Sequence, residues 1–389
     1  MRHIVIIALM LSFLLAACGG GNYTCTDPLG CVTVVSGAPI TIAVELTLSG
    51  PDAPYGTDAL RGVAIAVTDY NEILSHPIEL VQDDDLCSAE GGEAAAKRLA
   101  ENPSITGVIG TTCSSAAVPA AKILTEAGMV LISPSSTAAS LTSAETHQAG
   151  FLRTIYNDKS QAKTVAEFAY VALGARSMAT IHDGAPYSQE LQEEACAIFE
   201  VMGGLCVEQF HLNTGINPKG ALTRIALFDP DVLYYPLYTT DGVAVTRQIS
   251  ETGLGNTALI SSDGLLSSDF IAQTQEDAQG MYLSGPSDLK IDPSFYEKYE
   301  ARYGEKPIAV YAAQGYDAAM ILIAAIEKVA VRKGAIIYIP RQALRDALYA
   351  TKNFEGLSGV LTCSPLGDCA APNIVIYQVR GLEFEPIYP

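Results

Sequence analysis

From Pro39 onward the sequence alternates short β-branched runs with alanine-rich stretches of helical period. That alternation folds as a parallel sheet covered by helices. A first cycle places strands over 40–46, 78–82, 107–109 and 130–132, with helices over 59–71, 89–101 and 116–127 between them. Within these helices apolar residues recur three and four apart, as at Leu60, Ala64 and Val67. A second cycle begins after Phe151-Leu152-Arg153-Thr154. It has strands over 178–182, 206–210, 232–235 and 258–260 and helices over 159–173, 189–202, 220–228 and 243–251. Two doubly wound units in one chain predict an α/β protein of two lobes. Segments 308–331 and 341–351 read as further helices, and 362–368, 373–379 and 383–387 as a hairpin or antiparallel strands.

The first residues bear on compartment. Arg2 precedes an apolar run over 4–15 that is too short to span a bilayer, the pattern of a signal peptide over 1–17. It ends in Leu15-Ala16-Ala17-Cys18 followed by Gly19-Gly20-Gly21, which resembles the lipobox of bacterial lipoproteins. The resemblance implies that Cys18 takes a diacylglyceryl group and that 18–38 form a linker to the membrane; two or three acyl chains suffice for stable anchoring. Of nine cysteines, eight then remain, an even number in a chain exported to an oxidising space. Sequence neighbours suggest Cys25 with Cys31, Cys87 with Cys113, Cys196 with Cys206 and Cys363 with Cys369, although eight cysteines allow 105 pairings. None of the pairs has the C-x2-C spacing of a zinc knuckle, so disulfides are expected and no metal.

Without the first 17 of 389 residues, 372 remain, more than one ordinary core accommodates. Loss of Arg2 leaves 22 basic against 43 acidic residues, a net charge of −21. Such a surface repels phosphate backbones and argues against nucleic acid as a partner. The longest later apolar stretch, 309–331, is interrupted by Gln314, Asp317, Glu327 and Lys328 and reads as a buried helix.

Ligands of parallel α/β sheets bind beyond the carboxyl ends of the strands, where helix N-termini offer free N–H groups. The residues that follow the strands are Thr47-Leu48-Ser49-Gly50-Pro51 leading to Tyr55; Thr111-Thr112-Cys113-Ser114-Ser115; and Ser133-Pro134-Ser135-Ser136-Thr137. In the second unit they are Asp183-Gly184-Ala185-Pro186-Tyr187, Tyr235-Pro236-Leu237-Tyr238 and Ser261-Ser262-Asp263-Gly264. Hydroxyls dominate the first set, which suits a carboxylate; an acid and tyrosines dominate the second, which suits an ammonium. Each hydroxyl alone is as well explained by a helix cap, each tyrosine by packing and Asp263 by a turn. Their joint placement at separate strand ends favours a site for a zwitterion.

In their order these residues resemble the type I periplasmic solute-binding proteins of the leucine/isoleucine/valine-binding family. The markers are Leu48-Ser49-Gly50-Pro51 with Tyr55-Gly56 and Gly62, Asp83-Asp84 with Cys87, Cys113-Ser114-Ser115, Ile132-Ser133-Pro134 with Thr137, Arg153-Thr154, His182-Asp183 with Tyr187, Asp263-Gly264 and Ile376-Tyr377-Gln378-Val379. The resemblance implies two parallel-sheet lobes, 39–157 plus 287–361 and 158–286 plus 362–389, joined by three crossovers around a cleft that closes by hinge motion. It assigns the ligand's α-carboxylate and α-amino groups to Ser114, Ser135 through its backbone, and Thr137. Tyr187 becomes a second-lobe contact, Asp263 the partner of the ammonium, and Tyr55 and Tyr238 neighbours of the ligand side chain. Cys87–Cys113 matches a family disulfide that pins the loop bearing Ser114.

Two departures bear on the ligand. The family's acid is often Glu where this chain has Asp263, and Ser135 and Ser136 replace smaller apolar residues, adding polar capacity near the cleft. The ligand expected is an amino acid or similar small polar compound, with amides, urea or aromatic acids as alternatives. The implied partners are an ABC permease and ATPase, the implied state a monomer, and the implied location the outer face of the cytoplasmic membrane or the periplasm. The same fold also serves ligand sensors that act with a signalling partner. An enzyme is not indicated: His76, His147, His182 and His211 are scattered, no G-x-S-x-G elbow accompanies them, and no nucleotide motif or other cofactor signature is present.

Overall fold

A computed structural model describes residues 24–287 and 291–388; the expected signal segment 1–17 and the lipidation site Cys18 lie outside the described residues. Two sheets organise the chain. In the first, the parallel strands lie side by side as His76–Asp84, Ile40–Leu46, Ile105–Gly110, Leu131–Ser133 and Phe151–Arg153. In the second they lie as Leu205–His211, Ser177–His182, Val232–Tyr234, Ala258–Ser261 and Tyr282–Pro286, followed by antiparallel Ile374–Arg380 and Glu383–Tyr388. In both, the second parallel strand of the series sits outside the first and the rest run the other way. The strand order therefore reverses beside Ile40–Leu46 and beside Ser177–His182, where a crevice forms at the strands' carboxyl ends.

Ile40–Leu46 is buried along its whole length, as a parallel strand covered on both faces must be. The helix that follows it, Ala53–Tyr70, opens with Pro54 in its first turn and crosses Ala312–Val329 backbone to backbone. A Cβ at Gly62 would lie 1.8 Å from the Ala312 carbonyl oxygen, and one at Gly315 2.3 Å from that of Ala59. This close approach, open only to glycine, brings the Tyr55 and Tyr311 rings edge to face at 6.0 Å. The chain passes between sheets three times: from Arg153 to the helix Asp158–Glu167, between Pro286 and Pro293, and between Ala370 and Ile374.

All four neighbour disulfides are formed: Cys25–Cys31, Cys87–Cys113, Cys196–Cys206 and Cys363–Cys369. Three segments differ from expectation. The linker expected over 18–38 is folded from Cys25 onward. Cys31–Val34, with Val32 and Val34 turned inward, pairs antiparallel with Ile336–Pro340, and the Asp27 carboxylate caps the helix Arg341–Tyr349 by accepting from the N–H groups of Gln342 and Ala343 at 3.0 and 3.1 Å. The strands Val331–Lys333 and Ile336–Pro340 were not expected. Finally, 362–368 is no strand: its disulfide loop is bonded to Arg153 of the first sheet, whose Nε donates to Asp368 Oδ1 at 2.6 Å, so this stretch packs with the first lobe and not, as the 362–389 assignment had it, with the second.

Candidate functional site

Residues that follow the carboxyl ends of the two sheets meet face to face. Tyr55 of the first helix donates its hydroxyl to the Gly264 carbonyl at 2.6 Å, and Asp52 Oδ1 accepts from the Thr239 N–H at 3.1 Å. Tyr311, at the start of Ala312–Val329, donates to Asp263 Oδ2 at 2.7 Å. The other carboxylate oxygen of Asp263 accepts from Gln161 Nε2 at 2.8 Å and from the Tyr187 hydroxyl at 2.7 Å. Burial raises the Asp263 pKa above the carboxylate norm, and the bonds from Tyr311, Gln161 and Tyr187 pull it back. The acid is thus held by both lobes.

Between them lies a narrow interlobe space of about 10 Å³ lined by Tyr55, Thr112, Ser135, Tyr187, Tyr238, Asp263, Gly264 and Tyr311. That is room for about one water molecule, far below the roughly 300 Å³ of small-molecule sites, because the two lobes are closed on each other. Five of the seven residues singled out in the sequence share it. The Tyr187 and Tyr238 rings lie 5.0 Å apart. The remaining two, Ser114 and Thr137, are buried and do not line it. Ser114 opens the helix Ser114–Glu126, whose N-terminus has no side-chain cap, and its Oγ accepts from the Ala138 N–H at 3.1 Å. The Thr137 hydroxyl is buried without a hydrogen-bond partner. Neither therefore caps its own helix.

The serines expected to add polar capacity to the cleft are otherwise engaged. Ser135 Oγ donates to the Thr112 carbonyl at 2.9 Å and Ser136 Oγ to that of Thr111 at 3.1 Å, fastening the two strand-end loops together. Arg153, wholly buried, holds the same loop from behind through the carbonyls of Ser136 and Ala138, at 3.2 and 2.9 Å. The Asp84 and Asp85 carboxylates accept backbone N–H groups, Asp84 from Leu48 at 2.9 Å and Asp85 from Thr112 at 2.9 Å, so these acids are structural. A larger concavity lies under Pro286 and Ile291, and its buried acid, Asp58, is saturated by the Tyr299 hydroxyl and the N–H groups of Tyr311 and Ala312.

Residues 39–380 match the family described as periplasmic binding protein. The chain belongs to that family. It is 27% identical over 346 residues to a Leu/Ile/Val-binding protein of Rhizobium johnstonii, covering 88% of this chain and 92% of that one. An amino acid binding protein of Pseudomonas aeruginosa is 30% identical over 274 residues, 68% of this chain and 72% of its own. A solved leucine binding protein of Thermotoga maritima superposes with a TM-score of 0.81 at 26% identity, covering 90% of this chain and 97% of that one.

For this periplasmic binding protein the sequence did not disclose Tyr311, Gln161 or Thr112. Tyr311 fell inside a segment read as continuous helix, whereas it stands at the helix N-cap. Gln161 lies in the polar run Asn157-Asp158-Lys159-Ser160-Gln161, which reads as a solvated helix start. Thr112 carries no distinguishing signal at its strand end; its hydroxyl accepts from the Thr47 N–H at 2.8 Å.

Proposed function

We propose that the protein is the extracytoplasmic receptor of an ABC importer, and that it captures an amino acid or similar small polar compound between its lobes. One observation carries the reading. A buried carboxylate, Asp263, is held in the interlobe space by donors from both lobes, and Thr112, which lines the same space, stands two residues before a helix whose N-terminus no side chain caps. A ligand ammonium is attracted to the first and a ligand carboxylate to the second, with charge-assisted bonds of about 1.5–3 kcal/mol each. Ser114, the Ser135 backbone and Thr137 take the ligand's polar head, and Tyr55, Tyr187 and Tyr238 close around the remainder.

In this reading Cys18 carries the lipid anchor, the folded receptor begins close behind it, and a Cys18→Ala protein leaves the membrane fraction. Function is tested by thermal unfolding of the soluble portion against amino acids, amides, short acids and urea. A ligand present at 100 times its dissociation constant raises stability by about 2.7 kcal/mol. A shift confined to amino acids supports the proposal. No shift with any compound, together with no small molecule released on denaturation, overturns it.

A further inference from the structure

A second acid stands near Asp263. Asp158 is the first residue of the helix Asp158–Glu167 that leads the chain into the second lobe; it is buried, and neither of its carboxylate oxygens has a hydrogen-bond partner. It does not serve the helix, because Asn157 is the cap and accepts from the Lys159 N–H at 2.9 Å. One turn later the same helix face presents Gln161, whose Nε2 donates to Asp263. The hydroxyls of Thr137, Tyr156 and Tyr234 are also buried and unpartnered. Tyr156 and Tyr234 both feel the charges of Asp158 and Asp263.

Among the described residues no cation answers this cluster. Arg153 is near enough to be felt at Asp158, but its guanidinium is committed to Asp368, Thr142 and the carbonyls of Ser136 and Ala138. Glu190 adds further negative charge, and the Thr137 hydroxyl is close enough to lower the Asp158 pKa without meeting hydrogen-bond geometry. Burial and the repulsion of Asp263 together drive the Asp158 pKa well above its ordinary range. Interiors seldom keep a carboxylate without a donor, since nothing then offsets its lost hydration. What would offset two neighbouring acids is a positive charge brought in from outside.

We propose that Asp158 is a ligand-binding residue: with Asp263 and the Thr137 hydroxyl it forms a two-acid pocket for the ligand's cationic nitrogen, and it selects amine-bearing ligands over plain carboxylates. The proposal rests on the interlobe receptor reading above and extends it to a residue outside the lined space. It also accounts for the unmatched hydroxyls of Thr137 and Tyr156.

The test uses the soluble protein, whichever of the twenty standard amino acids gives the largest thermal shift, and the same compound without its amino group. In Asp158→Asn, affinity for the amino acid by calorimetry falls at least tenfold, while that for the des-amino compound does not fall. Ligand-free Asp158→Asn unfolds at a temperature no lower than the wild type, because the substitution removes a buried, unpartnered acid. Asp158→Ser gives the same pattern. Amino-acid affinity within threefold of wild type overturns the proposal. So does an equal loss for both ligands or a lowered unfolding temperature, either of which makes Asp158 structural. A wild type that binds none of the twenty is a separate failure, which overturns the amino-acid reading and this extension with it.

Discussion

The Tyr55 hydroxyl donates to the Gly264 carbonyl over 2.6 Å and so joins the first helix of one lobe to a strand-end turn of the other. A neutral bond of this kind contributes about 0.5–1.5 kcal/mol. When the lobes part, water takes over both groups, so the bond favours closure without supporting either lobe's fold. Tyr55→Phe is therefore expected to weaken ligand binding by about twofold to tenfold, chiefly through faster release, with no change in the unfolding temperature of the ligand-free protein. Calorimetry and stopped-flow dissociation would show it. Unaltered affinity would mean that this contact has no part in the ligand-bound state.

Asp263 calls for two substitutions, because its oxygens accept from Tyr311, Gln161 and Tyr187. Asp263→Asn keeps an acceptor and removes the charge; the variant is expected to fold normally and to bind an amino acid at least tenfold more weakly, a loss of about 1.4 kcal/mol or more. Asp263→Ala also strands the buried Tyr311 hydroxyl, since Gln161 keeps Ser284 and Tyr187 keeps Ser262 as acceptors, and a donor left without a partner costs about 1–3 kcal/mol. It should abolish binding and lower the unfolding temperature in addition. Full affinity in Asp263→Asn would remove the ammonium from this position.

The parts of the fold that could be read from the sequence are those decided locally. A strand buried on both faces, such as Ile40–Leu46, must be apolar throughout, and the polar residues just beyond such strands stand out for that reason. Five of the residues picked out there line one space. What escaped was set by distant contacts. Tyr311 sits in an apolar segment whose helix boundary depends on the crossing at Gly62 and Gly315, and Asp158 and Gln161 look solvated until the second lobe covers them. Likewise nothing local to Cys31–Val34 announces its partner strand, which is some three hundred residues away in the chain.

The Cys87–Cys113 bridge closes a loop of 26 residues and ties the N-terminus of the Ser114 helix to the strand-end loop carrying Asp85. Chain entropy assigns a loop of that length about 3 kcal/mol of stability. The paired change Cys87→Ser with Cys113→Ser should lower the unfolding temperature by several degrees and weaken binding as well, since the helix N-terminus facing the cleft loses an anchor. Cys196→Ser with Cys206→Ser joins elements remote from the cleft and should lower stability alone. Equal effects on affinity from both pairs would argue against a role for the first bridge at the site.

Asp317 offers a pH-dependent test of stability apart from the cleft. It is buried within Ala312–Val329, and its oxygens accept from the Leu357 N–H at 2.7 Å, the Ser358 N–H at 2.8 Å and the Ser358 hydroxyl at 2.6 Å. Burial pushes its pKa up to about 6, and those bonds only partly counter it. In the unfolded chain an aspartate titrates near 3.9, so between about pH 4 and 6 the folded protein holds a proton that the unfolded chain has released. Stability from this residue is therefore greatest below that window and declines as the pH rises through it. Asp317→Asn removes the titration. From urea unfolding, the stability of the wild type relative to Asp317→Asn should rise by about 2–3 kcal/mol between pH 7 and pH 4, while groups common to both proteins cancel. A difference that stays constant over that range, or one that falls toward low pH, would show that Asp317 is ionised in the folded protein throughout, with Leu357 and Ser358 fully offsetting its burial.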